Sequence, residues 1–96
     1  MRDVVIDTSL LCEIAYKEAR DLGELLGVDI NLINEVGRKS CEILEKYSEI
    51  DPRDIVRAIY HILLKKNSQL TMRRRTILSN PSLSWLELVP IVYRYI

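Results

Sequence analysis

The stretch "MRRRTILSNPSLSWLELVPIVYRYI", residues 72–96, separates two architectures for this chain. Thr76, Ile77 and Leu78 suit a pleated backbone, and the turn formers Ser79, Asn80 and Pro81 would stop a strand there, over about 75–79. Beyond them, "LELVPIVYRYI" is rich in β-branched and aromatic residues. Pro90 has no N–H to donate, which suits an edge strand over 87–93 better than a helix interior. The same letters also spell a helix capped at Asn80 and kinked at Pro90. Strands here make an α/β domain; a helix makes an all-α bundle.

The other end of the chain favours the first choice. In "MRDVVIDTSLL", residues 1–11, Val4, Val5 and Ile6 are consecutive and β-branched, which reads as a short buried strand over 3–7. Thr8 or Ser9 then caps a helix. Leu11, Ile14, Ala15, Ala19, Leu22, Leu25 and Leu26 recur at helical spacing, and Gly27 ends the run cheaply. A second helix starts near Asn31, keeps its period through Ile33, Val36, Ile43, Leu44 and Tyr47, and stops near Glu49. Asp51 and Pro52 are a good N-cap and first residue for a third, with Ile55, Ile59, Ile62 and Leu63 as its buried stripe. The expected fold is therefore a small helix-rich α/β domain with a short, mainly parallel sheet. Its strands lie near 3–7, 75–79 and 87–93, with three helices between the first two. The alternative is an all-α helical bundle.

Ninety-six residues make one domain, 1–96, with room for a modest core. Hydrophobic residues are 48% of the chain, which argues against disorder. Fourteen basic and fourteen acidic residues cancel, but unevenly along the chain. Residues 1–50 hold 6 basic and 11 acidic side chains; residues 51–75 hold 7 and 2. Such halves attract each other or a symmetry mate, and a basic surface near an acidic site also suits a phosphate backbone. Cys12 and Cys41 are far apart, and neither a disulfide framework nor a zinc site is indicated by their spacing. No signal peptide is visible, and no apolar run approaches the roughly 18 residues that span a bilayer. The expectation is a cytoplasmic protein without membrane contact.

Three places carry chemistry. Asp7 ends the first strand, at the sheet edge where ligands bind in parallel sheets. Asp54 lies in the first turn of the third helix, and Asn80 closes the second strand. Oxygen ligands gathered in this way suit Mg²⁺ or Mn²⁺, which can activate water and stabilise charge on a phosphoryl oxygen. "VVIDTSLL", "EIDPRDIVRAI" and "TILSNPSLSWLELVPI" together resemble, in order, three pieces of PIN domains, the metal-dependent ribonuclease fold of many bacterial and archaeal toxins. The resemblance implies a truncated PIN-like domain, in which Asp7 and Asp54 are catalytic metal-binding acids. Asn80 would be a further metal position and Ser9 a helper. Arg73, Arg74 and Arg75 would hold the RNA or DNA phosphate backbone.

Two other functions compete. "ARDLGELLGVDINLINEVGRKS" resembles a helix-turn-helix, so residues 20–40 would read DNA with Asn31, Asn34, Arg38 and Lys39. Against that, Asp29 and Glu35 put negative charge on the reading helix. The third option is a non-enzymatic interaction protein, a homodimer that gains core by association. His61 reads as partly buried and structural, and Trp85, Tyr93 and Tyr95 as core or interface.

Overall fold

The computed structural model describes residues 8–79 and 84–96. Within them are five helices and no strand: α1 (Thr8–Leu26), α2 (Ile30–Lys46), α3 (Pro52–Lys66), α4 (Met72–Leu78) and α5 (Ser84–Tyr93). The α/β expectation is thereby overturned in favour of the all-α bundle. The proposed strand at 3–7 lies outside the described residues. The other two, at 75–79 and 87–93, fall in or beside α4 and in α5.

Local chemistry explains both corrections. Thr71 caps α4 by accepting from the Arg74 N–H at 3.2 Å, and Thr76 turns its hydroxyl back onto the Met72 carbonyl at 3.0 Å. Leu78 is the residue α4 buries. In α5, Leu88 and Val92 are both buried, one turn apart, so the run has a helical core face despite its β-branched residues. Pro90 sits inside this helix but is exposed, so its ring and missing hydrogen bond face water. Position on the wet side makes the proline tolerable.

The first three helices stand where periodicity puts them. Gly27 follows α1 with φ +72° and sends its N–H to the Gly23 carbonyl, which stops the helix. Asp29, the residue that argued against DNA reading, is the N-cap of α2 and accepts from the Leu32 N–H at 2.8 Å. Asp51 caps α3 with Pro52 as its first residue, as expected.

These helices run up, down and up. Gly23 abuts Ile33, Tyr16 abuts Gly37, and Cys12 is bonded to Cys41. As the residue number falls along α1, its partner on α2 rises, so the two form an antiparallel hairpin closed along most of its length. The disulfide joins the two cysteines whose spacing in the sequence indicated neither a disulfide framework nor a zinc site. Their Cα atoms stand 5.0 Å apart, within the span a disulfide bridges. Helix α3 lies in the hairpin's groove, where the Tyr60 hydroxyl donates to the Ala19 carbonyl and the half-buried Arg57 and Glu18 pair at 4.0 Å. The core is Ala15, Ala19 and Leu22 of α1, Val36, Ile43 and Leu44 of α2, and the long apolar face of α3. Helix α4 returns along α3, with the Ile77 carbonyl 3.4 Å from Arg57 Nη1. The end of α5 lies beside the end of α3, and the Tyr95 carbonyl accepts from Lys39 Nζ at 3.0 Å.

Candidate functional site

Of the residues implied as a metal centre, Asp7 and Asn80 lie outside the described residues. Asp54 is half-buried in the first turn of α3, as expected. Its surroundings are those of a helix start: the Arg53 guanidinium feels the charge of both Asp51 and Asp54. Arg53 also hydrogen-bonds the Asp51 carboxylate, which holds that group below its ordinary pKa. A guanidinium so placed competes with a divalent cation. Ser9 is exposed on the first turn of α1. The Glu18–Arg57 pair sets the register of α1 against α3, and it leaves Ser9 about 9 Å along the axis from the level of Asp54. Among the described residues no group of three His, Cys, Asp or Glu side chains could hold a metal ion.

The arginine run divides. Arg73 and Arg75 are exposed. Arg74 turns inward, with Nε 3.1 Å from the Leu26 carbonyl, Nη1 2.9 Å from that of Gln69 and Nη2 3.4 Å from that of Gly27. It satisfies the orphan carbonyls at the end of α1, where positive charge also suits the helix dipole. Arg75 and Lys65 lie close enough to His61 to act on its charge. Burial first, then those two cations, hold the imidazole below its ordinary pKa.

The helix-turn-helix residues are also divided. Asn31, Asn34 and Arg38 share the exposed face of α2, whereas Lys39 reaches the Tyr95 carbonyl on another side. Arg38 is paired with Glu42 at 3.5 Å. A DNA-reading helix-turn-helix crosses its helices at about 90–120°. An antiparallel hairpin bonded at the end opposite its turn does not supply that crossing.

Periodicity alone missed the outer face of α1. Ile14 and Leu25 belong to the apolar period, yet they are 40% and 61% exposed, and Leu10 is 56% exposed. Core positions Ala15, Ala19, Leu22 and Leu26 already fill one stripe. The surplus apolar residues of α1 form a second line, Leu10–Ile14–Leu25, interrupted by the exposed Lys17–Asp21 pair at 3.4 Å. The signal was present in the sequence as too many apolar positions for a single face.

A groove of about 730 Å³ runs on another side of α1, with Cys12, Glu13, Tyr16, Lys17 and Arg20 facing Glu45 of α2. A smaller one, about 380 Å³, lies between the ends of α3 and α5 and is lined by Ile62, Lys65, Lys66, Tyr93 and Ile96.

Fold and surface thus define an all-α class, a three-helix bundle extended by two short helices and carrying an unfilled apolar line. No family model matches the chain, no curated protein matches it, and no solved structure matches it. No helix among the described residues is long and apolar enough to cross a membrane.

Proposed function

We propose that this chain is a non-enzymatic interaction protein that works as a homodimer through the outer face of α1. The observation that carries the reading is the line Leu10–Ile14–Leu25, which leaves large apolar side chains in water on a helix whose core stripe is already filled. A second copy fits the line by two-fold symmetry. An antiparallel approach centred between Lys17 and Glu18 sets Leu10 opposite the second copy's Leu25. It also brings Lys17 within a turn of the second copy's Asp21, so the flanking leucines and the charges complement each other, with Ile14 level with the second copy's Asp21. The matched segment spans about 22 Å of helix.

Sedimentation across micromolar to millimolar concentrations tests this. The wild-type chain is expected to dimerise. Ile14→Glu with Leu25→Lys is expected to weaken association by at least about 100-fold while leaving the helical signal intact, because both positions are exposed. A wild-type chain that stays monomeric, or a double variant that dimerises as well as the wild type, overturns the reading.

A second reading is supported by the exposed Arg73 and by Lys65 and Arg75 beside His61. This basic edge suits a phosphate backbone. If it holds one, RNA or DNA affinity falls steeply with salt, and Arg73→Glu with Arg75→Glu flattens that slope by about two phosphate contacts.

A further inference from the structure

We propose that Cys12 is a thiol-exchange site that takes a small zwitterionic thiol of the glutathione class and opens the Cys12–Cys41 bond reversibly. Two features carry this, the placement of the bond and the groove beside it. The bond joins α1 and α2 at the end of the hairpin opposite the Gly27 turn, and both cysteines are half-buried rather than enclosed in the core. The groove of about 730 Å³ is lined by Cys12 and not by Cys41, so a thiol entering it approaches the bond from the Cys12 side. Its walls carry both signs of charge. Lys17 and Arg20 face an entering carboxylate, and Glu13 and Glu45 face an ammonium group. Glutathione carries two carboxylates and one ammonium, the charges these walls complement. Among the described residues Lys17 pairs with the exposed Asp21, a contact weak enough to be exchanged.

The chemistry balances within the two thiols. A glutathione thiolate attacks Cys12 Sγ, the Sγ–Sγ bond breaks, and its electron pair leaves on Cys41 as a thiolate. Cys12 then carries glutathione as a mixed disulfide. A second thiolate attacks the glutathione sulfur, giving glutathione disulfide and a Cys12 thiolate. Two glutathiones are oxidised and one protein disulfide is reduced. The reverse sequence, with glutathione disulfide as oxidant, restores the bond.

Intact mass and acid trapping on the full chain test the site. Reduced glutathione is compared with neutral 2-mercaptoethanol, each rate normalised to the same thiol's reaction with a small open-chain disulfide. Glutathione is expected to be favoured by about tenfold at low salt, and Lys17→Glu with Arg20→Glu is expected to abolish that preference. Peptide mapping of the trapped wild-type intermediate is expected to place glutathione on Cys12. With glutathione disulfide, Cys41→Ser is expected to be modified at least about tenfold faster than Cys12→Ser, since only Cys12 faces the groove. Glutathione trapped on Cys41, equal rates for the two thiols, or no reduction by millimolar glutathione would each overturn the proposal. The mapping and the thiol comparison use the wild-type chain, so they stand even where a cysteine variant fails to fold.

Discussion

At the scale of single residues, two glycines in similar helical settings differ in what surrounds them. A Cβ added at Gly23 would stand 2.5 Å from Ile33 Cγ1 and 2.6 Å from the Tyr60 hydroxyl oxygen, both buried. A Cβ at Gly37 would have its three nearest atoms, 2.3, 2.4 and 3.1 Å away, in the ring of Tyr16, which is 42% exposed and can swing towards water. Alanine favours the helix at either position by about 1 kcal/mol. At Gly23 overpacking of about 1–3 kcal/mol outweighs that gain, so Gly23→Ala is expected to lower the urea midpoint. Gly37→Ala is expected to leave it nearly unchanged. In the sequence both are single glycines inside a helical apolar period. Nothing in the letters distinguishes the fixed neighbours of one from the movable neighbour of the other.

His61 supplies a pH dependence with a definite sign. Burial, Lys65 and Arg75 disfavour its imidazolium in the folded chain, while the unfolded chain takes up the proton near the ordinary value of 6.5. The unfolded state therefore binds more protons between the depressed folded pKa and 6.5, and stability falls as the pH drops through that window. Above 6.5 the contribution is fully present. Urea midpoints measured from mildly alkaline to mildly acidic solution should show this slope, and His61→Gln should remove it. The expectation of a partly buried, structural histidine fits this placement. The cations around it come from two helices, and Arg75 stands fourteen residues further along the chain, beyond what helical spacing relates.

At the scale of elements, legibility followed length and caps. Helices α1, α2 and α3 were readable because each repeats its apolar period over four or more turns and begins or ends on recognisable cap residues. Helices α4 and α5 were not. Seven residues give α4 fewer than two apolar repeats, and the β-branched residues of α5 outweighed the single buried turn Leu88–Val92. Tertiary contacts decide both. Arg74 is the chief tie of α4, bonding carbonyls of Leu26, Gly27 and Gln69. Arg74→Ala is expected to cost about 1–3 kcal/mol by leaving those carbonyls without their charged donor. It should also speed amide hydrogen exchange across 72–78 while α2 and α3 keep their protection. Arg73→Ala, from an exposed position in the same run, is expected to change neither. Equal effects of the two substitutions would show that Arg74 is no tie at all.

For the whole molecule, the charge division seen along the chain becomes a division in space. The acidic half is the α1–α2 hairpin and the basic stretch is α3 with the start of α4. The ions meet in few places: Glu18 pairs with Arg57, and most of the rest face water. Attraction between halves thus adds little to the fold, which rests on the shared core and on the disulfide. That bond closes the hairpin at its open end across 29 residues. Loop-closure entropy puts its worth at about 3–4 kcal/mol, a large share of the stability of so small a domain. Cys12→Ser is expected to lose most of that, and so is Cys41→Ser, because either removes the same bond. The double variant should then be little worse than either single one. Urea unfolding under non-reducing conditions reads the comparison directly. Losses that simply add would mean that the two side chains contribute through packing alone, and the hairpin's open end would owe its closure to α3 instead.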